Sequence, residues 1–385
     1  MRIVDVCAFY APQGGGVRTY IEQKLAAGPK LGHEIVILAP GREDRTEQRG
    51  PAARIEWIAS PRLPVDRRYR YFASADDIHR RLDALAPDFV EASSPWRTAA
   101  AVAGWRGSAP RALVMHADPF AAYAYRWLEA FATPDAIDRN LPWAWRYFRR
   151  LDAAFDLVVC ASASLSDRLA SQGLHHAVTV PMGIDGGFFS PALRDEAFRA
   201  RLLADCALPP DATLLLGVGR HAPEKRWPMV LEAVMAAGMA HPIGMILVGD
   251  GRERARTARL VAGNPHIRLL APIADRLALA RLMASCDALV HGCEAETFSM
   301  VAAEAAASGL PLIAPDRGGA ADHARANGGW LYRSGDAADA AGVIDRFVAA
   351  KAPRPAPAAR TMEQHFSDLF ALYAAQVATA SRLAA

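Results

Sequence analysis

Short runs of aliphatic and β-branched residues recur along the chain, each followed by a longer stretch with apolar positions at helical spacing. The first run covers residues 1–9. Residues 19–31 then carry the helical period and stop at Gly32, a residue type that ends helices readily. Strands are predicted at 34–39, 89–92, 112–116, 156–161 and 178–181, with helices between them such as 74–85 and 164–171. After Phe189 the pattern breaks. Ser190-Pro191, a charged helix to Leu203 and Leu208-Pro209-Pro210 make a connector. Alternation then restarts, with strands at 213–218, 244–248, 267–270, 288–291 and 312–314 and helices at 228–239, 252–261, 276–285 and 300–308. A Pro-rich stretch, 352–357, reads as turns, and 362–380 returns to helical spacing through Phe366, Leu369, Phe370 and Tyr373. This alternation predicts parallel sheets with crossover helices, as two doubly wound α/β units in succession. Ligands collect at the carboxyl ends of such strands, and two units facing each other place a cleft there.

Composition narrows the class. At 385 residues the chain exceeds the roughly 250–300 residues at which single cores stop growing. A 52% hydrophobic and 22% charged composition excludes a disordered chain. The 44 basic and 41 acidic residues leave a net charge of +3, which gives no basic excess for nucleic acid. No apolar run approaches the ~18 residues of a spanning helix, and the N-terminus enters strand character without a signal-peptide layout. Cys7, Cys160, Cys206, Cys286 and Cys293 form no Cys-x-x-Cys pair, so they read as buried thiols in a reducing compartment. The expectation is a two-domain cytoplasmic protein.

Four places carry candidate chemistry. Gly14-Gly15-Gly16, between a strand and a helix, allows close backbone approach at a helix N-terminus that favours anions, or simply a tight turn. Arg220 and Lys225 follow the 213–218 strand and can reach one group from a single loop. A guanidinium fork and a compact ammonium together suit a diphosphate, while a solvated pairing with Glu224 is the plainer alternative. If a helix starts near Ser299, Glu296 lies in the loop before it and Glu304 on its second turn, with the amides of 298–301 turned toward an anion. Glu304 sits between Ala302-Ala303 and Ala305-Ala306-Ala307, where an unpaired buried carboxylate is costly. Vicinal ribose hydroxyls would satisfy it, unless the residue faces solvent. His116, at a strand end with Asp118 two residues on, is placed to bond a sugar or assist a hydroxyl.

The Glu296-x₇-Glu304 spacing, the following Ser308-Gly309-Leu310-Pro311 and the Gly318-Gly319 turn resemble the retaining nucleotide-sugar glycosyltransferases of family 4. Gly15-Gly16-Val17, Gly32-His33-Glu34-Ile35, Pro181-Met182-Gly183-Ile184-Asp185, Gly219-Arg220 with Lys225, and Gly249-Asp250-Gly251 are similar to that family's landmarks, in order. The resemblance implies an α/β fold called GT-B, two facing Rossmann-like domains with a cleft between them. The acceptor domain is expected at 1–190, with a last helix at 361–385 crossing back to it, and the donor domain at 191–355. It implies a hexosyltransferase that takes a nucleoside-diphosphate-sugar as donor and keeps the anomeric configuration. Arg220 and Lys225 hold the diphosphate, Glu304 the ribose and Glu296 the sugar hydroxyls. Thr297, Phe298, Ser299 and Met300 line the sugar and phosphates, Gly15 and Gly16 form the first-domain loop, and Asp118 orients His116. Neither a metal nor a cofactor is expected, because the two cations take the metal's place. Met182 stands where Asn is common, Thr297 and Ser299 where Gly is, and Asp322 where Glu is.

The acceptor stays open among sugars, oligosaccharides and lipid-linked saccharides of cell-envelope or glycolipid synthesis. Arg67-Arg68-Tyr69-Arg70-Tyr71-Phe72 and the segment Trp143 to Arg150 mix cations with aromatics. That mixture suits peripheral contact with the inner face of an anionic membrane, or two ordinary helices with rings inward. Three rivals share the architecture: a two-domain small-molecule binding protein, a nucleotide-sugar epimerase and a sugar phosphorylase.

Overall fold

Eight strands build the first sheet: β1 (Arg2–Val6), β2 (Glu34–Gly41), β3 (Arg45–Gly50), β4 (Ala53–Ala59), β5 (Phe89–Ala92), β6 (Arg111–Met115), β7 (Leu157–Cys160) and β8 (Ala177–Thr179). Their order is β3-β4-β2-β1-β5-β6-β7-β8, parallel throughout except for the β3–β4 pair. The second sheet holds β9 (Thr213–Val218), β10 (Ile243–Val248), β11 (Ile267–Leu270), β12 (Ala288–Val290), β13 (Leu312–Pro315) and β14 (Trp330–Tyr332). It is wholly parallel, in the order β11-β10-β9-β12-β13-β14. The computed structural model describes all residues except 11–15, 65–68, 121–132, 186, 352, 359 and 385. Central strands such as β2 and β10 are buried along almost their whole length, and each buried aliphatic side chain contributes about 1.5–3 kcal/mol.

The hydrophobic pattern does not predict β3, which has no apolar residue. It survives as a charged edge, with Glu47 accepting from the Trp57 indole at 3.0 Å and Arg45 lying 5.2 Å over that ring. Such an edge resists pairing with another chain. The structure also holds β4, β14 and the helices Gly319–Ala326 and Ala337–Ala350, which are not among the elements expected above, although β4 does carry the apolar–polar alternation of a strand. All five cysteines are buried and free.

The two compact units are Met1–Pro181 with Met362–Ala385, and Met182–Thr361. The first therefore ends at Pro181 rather than at 190. The Ile184 amide bonds the Arg360 carbonyl at 2.8 Å, and Ile184 bridges to Thr361, which ties this stretch to the second unit. The final helix, Met362–Ala384, packs in the first unit. Its Tyr373 stacks on Phe89 with centroids 3.9 Å apart, and Phe366 meets Tyr20 at 5.2 Å. His365 Nδ1 donates to the Pro181 carbonyl at 2.9 Å, which leaves Nε2 to accept from the Tyr20 hydroxyl at 3.1 Å.

A fully buried charge cluster lies at the carboxyl ends of β1 and β5. Helix α1 (Gly16–Lys30) turns Tyr20, Ile21, Lys24, Leu25 and Gly28 inward. Lys24 Nζ donates to Asp5 Oδ2 at 2.9 Å and to Glu91 Oε2 at 2.5 Å, and all three side chains are completely buried. Ser93 donates to Asp5 at 2.8 Å, and the Tyr373 hydroxyl donates to Glu91 at 2.8 Å. One ammonium between two carboxylates leaves an excess negative charge with no water to solvate it. Burial, with Glu91 beside it, raises Asp5 to about 7, despite the opposing pull of Lys24. Burial also works against charge on Glu91, but Lys24 and the Tyr373 hydroxyl hold its carboxyl below the ordinary range. Glu91 therefore pairs with the lysine as the ion, and Asp5 takes up the proton.

Candidate active site

In the second sheet the strand order reverses between β9 and β12, so the loops that follow these two strands flank the switch point where ligands gather. The β9 loop carries Arg220 and Lys225, and the β12 loop carries His291 and Glu296. A Cβ on Gly292 would lie 2.5 Å from the Lys225 carbonyl, so only glycine lets the two loops approach this closely. The approach joins Lys225 Nζ to Glu296 Oε1 in a largely buried ion pair. Glu296 Oε2 meets His291 Nε2 at 2.9 Å. On its other side, His291 Nδ1 accepts the Cys293 amide at 3.1 Å. That bond fixes the tautomer with its proton on Nε2, where it donates to Glu296. Burial alone would raise the Glu296 carboxyl, yet the His291 ring and the Lys225 ammonium hold it well below the usual carboxylate range.

The backbone beneath Glu296 is equally fixed. The Gly319 amide donates to the Glu296 carbonyl at 2.7 Å. A Cβ at Gly319 would come within 2.6 Å of the Phe298 carbonyl carbon, so the Gly318-Gly319 turn serves as a platform for the loop. Arg226 bonds Glu294 at 2.7 Å and holds the loop's other end. The expected helix runs Met300–Ala307, with Ser299 as its cap in the left-handed region at φ 64° and no side-chain capping bond. A serine there stores backbone strain of about 1–3 kcal/mol, and its hydroxyl instead meets His291 Nε2 at 3.3 Å. Phe298 is buried with its ring edge on His323 at 4.8 Å, while Met300 is exposed. Thr297 lies half-buried in the same loop.

Glu304 is buried, which settles the choice against a solvent-facing residue. Arg276 Nη1 donates to it at 2.8 Å and itself lies 4.9 Å over the Phe189 ring. Burial raises the Glu304 carboxyl, with Arg276 opposing and Asp185 adding to the rise. Arg220 takes the plainer course. Its Nη2 bonds Glu224 Oε1 at 2.8 Å on the exposed surface. The contacts therefore join Lys225 directly to Glu296, link Glu296 to Ser299 through His291, and leave Arg220 on a different partner. His291 and Arg276 are absent from the expectations drawn from sequence.

In the first unit His116 stands at the end of β6, half-buried, with its ring edge-on to Tyr20 at 4.8 Å. Burial pushes it down to about 4, so the ring is neutral near pH 7. Asp118 accepts from the Phe120 amide at 2.8 Å and pairs with Arg168, which also forks onto Asp138. Gly16 opens α1 with open space around its Cβ direction. Gly14, Gly15, Arg67 and Arg68 lie outside the described residues. Among the described residues no group of three His, Cys, Asp or Glu side chains could hold a metal ion, and no helix is long and apolar enough to cross a membrane.

Known proteins share this organisation. The profile of Glycosyltransferase Family 4 matches residues 14–186, and that of Glycosyl transferases group 1 matches 212–349. A GDP-mannose-dependent alpha-mannosyltransferase of Mycobacterium tuberculosis is 31% identical, over 84% of this chain and 81% of its own length. A GDP-mannose-dependent alpha-(1-6)-phosphatidylinositol dimannoside mannosyltransferase of the same species is 30% identical over 81% of this chain and 79% of its own. Among solved structures, sucrose-phosphate synthase from Thermosynechococcus elongatus superposes with a TM-score of 0.64 at 20% identity, covering 100% of this chain and 98% of that one. Ordered motifs, two Rossmann-like units and relatives matching along most of the length agree: the chain belongs to Glycosyltransferase Family 4 and is a glycosyltransferase of the GT-B fold.

Proposed function

We propose that the protein is a retaining mannosyltransferase that takes GDP-mannose as donor and a glycolipid precursor as acceptor. The observation that carries this reading is the Lys225–Glu296–His291 assembly at the β9/β12 switch point, beside the uncapped start of the Met300–Ala307 helix. An ammonium and the free amides of a helix start stabilise the negative charge that develops as a nucleoside diphosphate departs. Glu304, buried and steered by Arg276, accepts the ribose hydroxyls. Glu296 is held by two partners as a hydrogen-bond acceptor for the sugar hydroxyls, a role at odds with attack on the anomeric carbon. Transfer then proceeds on the front face, with the leaving phosphate oxygen taking the acceptor proton, and charge neutralisation by Lys225 removes the need for a metal. Mannose and guanine come from the relatives, both of which are GDP-mannose-dependent.

Peripheral membrane contact belongs to the same proposal. In the Pro142–Asp152 helix Trp145 and Phe148 point into the core, while Trp143 is 62% exposed on a helix that also carries exposed arginines. Flotation with anionic vesicles tests it, and a Trp143→Ala variant that floats as well as wild type would refute it.

Calorimetric titration with GDP, UDP and ADP, followed by turnover of GDP-mannose with the chelator EDTA present, tests the donor. Preferential GDP binding and an α-linked product by proton NMR are expected. A β-linked product, or a trapped mannosyl–Glu296 adduct, would overturn the front-face route, and binding of none of the three nucleotides would overturn the donor site itself.

A further inference from the structure

The first sheet has its own switch point, between β1 and β5, and a cavity of about 470 Å³ opens there. Its walls come from residues 8–9 after β1, from Ser94 and Trp96 after β5, from residues 63 and 70–72, and from α2 (Ala75–Leu85) and α3 (Arg97–Gly104). The volume lies in the range of small-molecule sites, roughly 300–1,000 Å³, and such sites are mainly apolar with a few placed polar groups. Phe9, Tyr71, Phe72 and Trp96 supply the apolar wall. Three polar groups stand out against it.

Ser94 lines the cavity, is 2% exposed, and its hydroxyl has no hydrogen-bond partner. A buried hydroxyl left unmet is costly and calls for a ligand atom. Arg70 and Arg97 also line the cavity. The Arg70 guanidinium is steadied by the Ser60 carbonyl, and that of Arg97 lies 5.6 Å over the Tyr71 ring with a 3.4 Å contact to the Ala73 carbonyl. Among the described residues neither has a carboxylate partner. Two arginines that line one cavity, held by backbone and ring contacts and without a carboxylate partner among the described residues, suit an anion of phosphate type.

We infer that this cavity is the acceptor-lipid site, taking an apolar chain against Phe9, Phe72 and Trp96 and the phosphate attached to that chain at Arg70 and Arg97. This rests on the transferase reading above and assigns the acceptor's chemistry, which the second unit's groups do not determine. The chain supplies the burial, the arginines select the anion, and Ser94 gives one directed bond.

Octyl phosphate below its micelle concentration is the probe, titrated calorimetrically into the whole protein beside octanol, inorganic phosphate and octyl glucoside. Octyl phosphate should bind about tenfold or more tightly than octanol, the scale of a charge-assisted contact, with inorganic phosphate weaker than either. Arg97→Ala should bring octyl phosphate down to the octanol level. Ala100→Trp, which fills the cavity from an exposed position on α3, should abolish binding of both. Octyl phosphate bound no better than octanol, or unchanged by Ala100→Trp, would overturn the assignment. So would octyl glucoside binding as tightly as octyl phosphate, since the rim would then select a sugar. GDP is titrated on the same samples. If octyl phosphate fails while GDP binds, the cavity assignment falls and the donor reading survives; if GDP fails while octyl phosphate binds, the reverse holds.

Discussion

Each unit places a lysine among carboxylates at the switch point of its sheet, and the two clusters are built to opposite ends. Around Lys24 every side chain is sealed from water, Tyr373 from the last helix closes the group, and a surplus carboxyl keeps its proton. Around Lys225 the partner Glu296 is one-quarter exposed, stays ionised, and is gripped on both oxygens. The sealed cluster has no route to a substrate and fastens α1 and the last helix to the sheet. The open one has fixed geometry and an accessible face, which is what charge stabilisation during transfer requires. A buried lysine is therefore structural or functional according to what closes over its partners.

The comparison can be broken most forcefully at Lys24. Lys24→Met should leave two carboxylates buried without a cation and destabilise the first unit by about 3–5 kcal/mol, read as a loss of melting temperature. GDP affinity of the molecules that remain folded should be unchanged. A melting temperature equal to wild type would mean that the cluster is not the fastening described here. Lys225→Ala should do the reverse, lowering turnover by roughly a hundredfold or more with little change in melting. Retention of near-wild-type turnover would assign Lys225 to structure as well.

His291 sharpens the distinction. As a positioning residue, it should alter kcat by roughly tenfold when replaced by Phe, with KM for the donor nearly constant. His291→Asn, whose amide can still donate to Glu296, should recover part of the loss. A purely packing role predicts the opposite ranking, since Phe fills the space better.

The comparison also has a pH dependence. The folded Asp5 sits at about 7, above its ordinary value of 3.8. Its contribution is thus fully present below about pH 4 and is lost as pH rises through 7, because the folded state is the one that holds the extra proton. Asp5→Asn removes that titration. Urea midpoints of the variant relative to wild type should therefore shift in the variant's favour between pH 4 and 7 and stay level above. A constant offset across that range would show Asp5 ionised throughout.

Much of this was visible in the chain, and the omissions have physical causes. The strands that carry the site, β9 and β12, are dense aliphatic runs that no helix of that length would match, and Glu296 and Glu304 stand out as acids in apolar surroundings. β3 escaped because an edge strand held by ion pairs carries no hydrophobic alternation. His291 escaped because a lone histidine has no spacing signature, and its role depends on a bond from Cys293 that exists only once the loop has formed. Arg220 shows the limit of spacing alone: the sequence allows it a diphosphate or a pairing with Glu224, and without a ligand the structure shows the pairing. Lys24 did leave a signal. It falls in register with Tyr20, Ile21, Leu25 and Gly28 on the inward face of α1, where a lysine must have a buried partner.

The return of the Met362–Ala384 helix to the first unit also sets an order of assembly. During synthesis, residues 182–361 emerge as one uninterrupted run and can close their core at once. The first unit, begun earlier, must wait for Phe366, Phe370 and Tyr373 to arrive after the whole second unit has been made. Until then Phe89 lacks its stacking partner and Glu91 its hydroxyl. The part translated first is therefore the last to mature, and a chain cut short near residue 361 would carry a finished second unit beside an open first one.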